Sequence, residues 1–211
     1  MLPVNVSLTN KPMHTDNIAK QIISLKAKDD QLRAKLIRKG ELSDGYNSDM
    51  EALLNCNAKA LQQIMDSIGF PTIDKVGEEA SNAAWIIIQH AIGQPEFMKE
   101  SAALLKQAVD NNQANPTALA YLTDRIAVFE GKPQRYGTQF DWDDNGQLSP
   151  NLVDDKEKVN QRREALGLKT LEEQTRIMRE QASKENQHPP TDFVERKRAY
   201  DAWRKQVGRI E

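Results

Sequence analysis

Four short segments carry the side chains that could do chemistry. In the run AAWIIIQHAI, residues 83–92, Gln89 and His90 are the only polar residues. An imidazole titrates near neutral pH, so His90 can serve as a general acid or base. A hydrogen-bonded core histidine is the structural alternative. Trp85 lies one helical turn before Gln89 and shares its face. In YLTDR, residues 121–125, Asp124 and Arg125 interrupt an apolar helix. The planar fork of Arg125 suits a carboxylate or phosphate. Asp124 can orient His90, position a water or neutralise Arg125, and a plain structural ion pair is the alternative. In QRYGTQ, residues 134–139, uncharged donors and acceptors are dense. Tyr136, Thr138 and Gln139 could orient a ligand, and Gly137 permits close backbone approach. The alternative there is a polar hairpin. The fourth segment, Asp141 to Gly146, matches the start of a calcium loop, D-x-D-x-N-G. Loop position 12 should be a bidentate Glu, and here it is Leu152. A hairpin turn is the better reading.

Helical periodicity must position most of these groups. Ile18, Ile22, Ile23, Leu25, Leu32, Leu36 and Ile37 predict a first helix, with Asp16 before it and Gly40 after it. A loop over 41–48 turns at Asp44-Gly45. A second helix covers 49–68 and stops at Gly69-Phe70-Pro71. A third, from Glu78, is apolar on most sides and therefore buried. Gly93-Gln94-Pro95 interrupts it. A fourth spans 96–109, and Asn115-Pro116 starts a fifth that runs to Glu130. Beyond Gly131 a hairpin over 136–148 is expected, with Tyr136 to Phe140 as a strand. Three further helices follow, over 155–166, 171–184 and 191–207. The expectation is a mainly α single domain with a small β-hairpin and an extended helical C-terminus. Residues 1–12 form a flexible start, 13–168 the core and 169–211 the extension.

Composition narrows the function classes. The 211 residues carry a net charge of -2, which argues against a general nucleic-acid footprint. No apolar run reaches the roughly 18 residues of a membrane helix. The single Cys56 excludes an internal disulfide framework, and in its helical context it reads as a small core residue. His14, His90 and His188 have no metal-ligand spacing to one another. There is no Gly-rich phosphate loop, no G-x-S-x-G elbow and no H-E-x-x-H. The start resembles no secretory signal, so a cytoplasmic location is expected.

Four motifs taken together, Asp30-Gln31-x-Arg33, Trp85-x-x-x-Gln89-His90-Ala91, Leu122-Thr123-Asp124-Arg125 and Gln134-x-Tyr136-Gly137-Thr138-Gln139, resemble a bacterial family known only as domain of unknown function 6624. The likeness runs from about Ile18 to Leu168. It implies no activity, but it groups these segments into one recurring pattern. If they converge, one pocket would hold Asp30, Gln31, Arg33, Gln89, His90, Asp124, Arg125, Tyr136, Thr138 and Gln139. So many satisfied polar groups would be a costly way to build a plain core.

The leading expectation is therefore a metal-independent, cofactor-free enzyme, hydrolase- or lyase-like, acting on a small molecule or peptide. His90, Asp124 and Tyr136 would carry the catalysis. Asp30, Gln31, Arg33, Trp85, Gln89, Arg125, Thr138 and Gln139 would bind substrate. The competing expectation is a non-catalytic immunity or adaptor protein whose polar cluster is structural and whose last helix meets a protein partner. An exposed apolar patch including Trp203 would mark that case. Neither a membrane nor a nucleic-acid partner is expected.

Overall fold

The computed structural model describes residues 11–41 and 47–211, with side chains from Asp16 onward. The flexible start expected over 1–12 falls largely outside these residues, as does the Asp44-Gly45 turn. Among the described residues there are nine helices and one two-stranded hairpin, so the protein is mainly α. The chain divides after Gly93 into two compact units, Met1–Gly93 and Gln94–Glu211. The break coincides with Gly93-Gln94-Pro95, where the helical pattern stops. The C-terminal helices fall in the unit that begins at Gln94.

The first unit contains α1 (Lys11–Lys39), α2 (Ser48–Ile68), the single turn α3 (Ile73–Val76) and α4 (Glu78–His90). Asn47 caps α2 through its side chain, accepting from the amides of Asp49 and Met50. Ile18, Ile22 and Leu36 of α1 are buried, as are Leu54, Leu61 and Met65 of α2. Leu32, Leu36, Met50 and Leu54 form one cluster between α1 and α2. The α4 helix buries Ala80, Ala83, Ala84, Ile87 and Ile88, as its all-round apolar pattern requires. Polar ties supplement the packing. Buried Asn57 donates to the Leu25 carbonyl at 3.1 Å. The Lys75 ammonium donates to the carbonyls of Ile68 and Phe70, closing the end of α2.

The second unit contains α5 (Pro95–Asp110), α6 (Pro116–Phe129), β1 (Phe140–Trp142), β2 (Leu148–Pro150), α7 (Lys158–Ala165), α8 (Leu171–Lys184) and α9 (Phe193–Gln206). Asn115 caps α6 by accepting from the Thr117 amide, with Pro116 at the first helical position. The hairpin is later and shorter than the pattern suggests. Its antiparallel register pairs Phe140 with Pro150, Asp141 with Ser149 and Trp142 with Leu148. Residues 134–138 form no strand; Gln134 makes only an isolated bridge to Val153. The Asp143–Gly146 turn does close the hairpin. Asp143 accepts from the amides of Asn145 and Gln147 and from the Ser149 hydroxyl. The calcium-like segment thus spends that carboxylate on its own turn.

The last helix is bound to its own unit. Tyr200 and Trp203 of α9 stack with centroids 5.9 Å apart, and Trp203 meets Phe129 edge-on at 5.7 Å. Arg196 forks onto Asp141 at 2.8 and 3.1 Å. The Trp203 ring therefore belongs to an aromatic cluster with α6 and not to a bare apolar patch.

Candidate functional site

His90 is the last residue of α4, and its partner is an acid the sequence motifs pass over. The His90 Nδ1 lies 2.5 Å from Oδ2 of Asp29 on α1. Asp29 is completely buried, while the His90 side chain is 28% exposed. An ionised carboxylate only accepts, so opposite one the Nδ1 of His90 is the donor, and Nε2 is the second ring nitrogen. Arg33, one turn after Asp29, brings its Nε within 3.7 Å of Asp29 Oδ1, an ion-pair distance. Its side chain is 38% exposed, so the guanidinium can meet both the buried acid and a ligand.

The signal for Asp29 is its place on the helix. Ile18, Ile22, Leu25, Asp29, Leu32 and Leu36 follow alternating steps of four and three. That spacing puts the carboxylate on the buried stripe of α1. Asp30 is one residue further round. It is exposed and pairs with Lys26. Gln31 is exposed as well. Trp85 is half-buried on α4. Gln89 is buried, and its Nε2 has no hydrogen-bond partner among the described residues. An unmet donor of this kind costs about 1–3 kcal/mol.

In the second unit the polar motifs make a different construction. Asp124, 1% exposed, accepts from the amides of Arg135 (2.8 Å), Tyr136 (3.1 and 3.2 Å) and Thr138 (3.1 Å) and from the Thr138 hydroxyl (3.1 Å). Burial raises the Asp124 pKa above its ordinary value, against the lowering effect of these donors. Buried Gln134 holds the same loop from within. Its Nε2 donates to the carbonyls of Gln139 and Asn151, and its Oε1 accepts the Gln139 amide. Arg163 of α7 is a third clamp. It donates to the carbonyls of Lys169, Tyr136 and Gly137, and desolvation lowers its pKa. Gly137 has φ +64°, and a Cβ there would stand 2.5 Å from Leu171 Cδ1. The amides of Arg135, Tyr136 and Thr138 are thus aimed at one carboxylate, which is why no strand forms there.

Within each unit these contacts show what the expected residues touch. Asp29 is the acid on His90. Asp124 and the Thr138 hydroxyl anchor a loop, and Tyr136 enters through its main chain. Arg125 donates to Gln139 Oε1 at 3.3 Å and lies over the Phe129 ring at 5.5 Å. Of the residues expected to share one pocket, Asp30, Gln31, Arg33, Gln89 and His90 belong to the first unit and Asp124, Arg125, Tyr136, Thr138 and Gln139 to the second. Among the described residues no cluster of His, Cys, Asp and Glu could hold a metal ion, and no helix is long and apolar enough to cross a membrane. Cys56 is exposed, contrary to its reading as a core residue.

The profile of one protein family, described as a family of unknown function (DUF6624), matches residues 17–185. The chain belongs to that family. The match spans α1 to α8 and so takes in both the Asp29–His90 pair and the loop held by Asp124; α9 lies beyond it. No curated protein and no solved structure matches the chain.

Proposed function

We propose that this family member is an acid/base enzyme in which His90 Nε2 exchanges a proton with substrate. Asp29 fixes the imidazole through Nδ1, and Arg33 receives an anionic group. One observation carries this reading: a fully buried carboxylate 2.5 Å from Nδ1 of a histidine that remains partly exposed. A histidine built only for packing would have both nitrogens enclosed. The reaction class is hydrolysis or elimination on a small molecule or peptide, since both need a positioned proton acceptor and donor. The unmet Gln89 amide is a donor for a substrate carbonyl or hydroxyl. Burying that donor without a partner is a cost that substrate binding would offset.

Two measurements test the proposal. Diethylpyrocarbonate attacks a histidine nitrogen that is open and unprotonated, so mass mapping of the modified protein should find His90 reactive. The chain is also to be screened against activated esters, amides and phosphodiesters. Any turnover should vanish in His90→Gln and fall about 10²–10⁴-fold in Asp29→Asn. Turnover indifferent to both substitutions, with an unreactive His90, would sink the idea.

A further inference from the structure

The tip of the hairpin and the end of α8 border a cleft of about 500 Å³, wholly within the Gln94–Glu211 unit and apart from the His90 chemistry. That volume falls in the range of about 300–1,000 Å³ typical of small-molecule sites. One aromatic side chain lines it, Trp142 of β1, beside Leu148, Ala182 and Pro189. Among the described residues no ring and no cation stacks on Trp142, and its indole N–H meets no acceptor. The polar part of the wall is dense in neutral groups: the amides of Gln147, Asn186 and Gln187 and the Ser183 hydroxyl. Gln147, Asn186 and Ser183 make no side-chain hydrogen bond among the described residues, and Gln187 commits only its Nε2, to Glu185.

Charge is scarce at this cleft. No carboxylate lines it. Its one guanidinium, Arg179, is spent on neutral oxygens, the Leu148 carbonyl at 2.8 Å and the Ser149 hydroxyl at 3.0 Å, with the charge of Asp143 close by. His188 is the other titratable group on the wall. The frame is fixed from both sides. Asp143 closes the hairpin turn on the amides of Asn145 and Gln147, and the Arg179 bonds tie α8 to β2. The amides of Asn186 and Gln187 bond back to the carbonyls of Ser183 and Ala182 at the end of α8. A wall held in this way loses little freedom when a ligand arrives.

The chemistry of the wall selects the ligand. An ion would give up hydration here without gaining a free opposite charge, so the ligand is uncharged. A hydroxyl both donates and accepts, and so does a primary amide, so several amides together match a rim of hydroxyls. A sugar ring also presents a face of C–H groups, which packs on an indole. A peptide would seek a strand edge, but the Leu148 carbonyl is taken by Arg179 and Pro150 has no N–H. We infer that this cleft binds a neutral saccharide, with a ring face on Trp142 and hydroxyls on the amides of Gln147, Asn186 and Gln187.

The test is an NMR titration of the full chain with cellobiose, maltose and N,N′-diacetylchitobiose, with glycerol, glucuronate and adenosine as controls. Trp142 also lines the neighbouring cleft between α6, β1 and α9, whereas His188 borders only the first of the two. Both the Trp142 indole and the His188 imidazole signals are therefore followed. At least one disaccharide shifts both signals saturably, with a Kd of about a millimolar. Trp142→Leu and Asn186→Gly each weaken it about tenfold while keeping the wild-type circular dichroism spectrum. Asn186→Gly removes the amide but suits the backbone angle of φ +51°, so it keeps the measurement informative if Trp142→Leu unfolds the chain. No shift with any of the three disaccharides at about 20 mM overturns the inference, as does glycerol acting as well as they do. A Trp142 shift without a His188 shift, or binding that survives both substitutions, places the ligand elsewhere and overturns it too. Glucuronate or adenosine binding about tenfold more tightly than every disaccharide replaces it with an anion site or a base site.

Discussion

Asp29 and His90 lie 61 residues apart in the chain and meet across α1 and α4, Oδ2 to Nδ1, at 2.5 Å. The pair has the arrangement by which a carboxylate selects an imidazole tautomer. The acid is buried on the apolar stripe of one helix, and the base is held at the end of the other. An Asp29→Asn substitution keeps the shape and removes the charge. Its expected result is a changed nitrogen spectrum for His90, with Nε2–H gaining population against Nδ1–H. An imidazole spectrum identical to wild type would mean that Asp29 does not set the tautomer.

Deleting the carboxylate altogether reads the same contact as stability. Asp29→Ala leaves the Nδ1–H without its acceptor and opens a space beside α4. The expected loss is about 1–3 kcal/mol in urea unfolding, with His90→Ala adding little more once Asp29 is gone. Additive losses in the double variant would show that the two side chains do not act as a pair.

The helices were legible because their signals are local: Asn115-Pro116 starts α6 and Gly69-Phe70-Pro71 ends α2. His90 stood out for the same reason, as a polar residue in an apolar run. Asp29 did not, because a neighbouring Asp-Gln-x-Arg motif drew attention to the exposed Asp30. Its true signal was the heptad-like stripe through Leu25 and Leu32. Tyr136 to Phe140 reads as a strand by residue type. Its Tyr136 and Thr138 amides, however, are claimed by Asp124, 12 and 14 residues away in the chain, and its Gln139 amide by Gln134, contacts that no strand propensity encodes. Arg163 escaped notice because a lone arginine in a charged helix looks like solvated surface. Only the fold reveals the three carbonyls that bury it.

The loop clamp makes a sharp prediction. Asp124→Asn retains one acceptor oxygen but turns an amide NH₂ toward the Tyr136 and Thr138 donors. A loss of about 2 kcal/mol or more is expected, at about 1–3 kcal/mol for each donor left unmet. Amide exchange at residues 135–138 should rise with it. Unchanged exchange there would remove Asp124 from its anchoring role.

Gly137 separates two penalties. Its φ of +64° disfavours any L side chain, and a Cβ would also strike Leu171. Gly137→Ala should cost about 1–3 kcal/mol. Adding Leu171→Ala removes the collision but not the backbone strain, so the double variant should be more stable than the sum of the two single losses predicts. Strict additivity would place the whole cost in the backbone.

Two carboxyls of the second unit should carry pH dependence of opposite sign. Burial pushes Glu130 up, but Lys132 and Lys99 outweigh it and hold the group below its ordinary 4.5. Its contribution is therefore present above the unfolded value and is lost as pH falls through the folded one. Asp124 is raised above 3.8, because burial outweighs its amide donors. The native state then holds that proton more tightly than the unfolded chain does. Its contribution is complete below 3.8 and is lost as pH rises through the folded value. Urea unfolding from about pH 3 to about pH 7 distinguishes the two. The stability deficit of Glu130→Gln relative to wild type should grow with rising pH, and that of Asp124→Asn should shrink. Deficits that move together would show that one of the two carboxyls is shifted in the other direction.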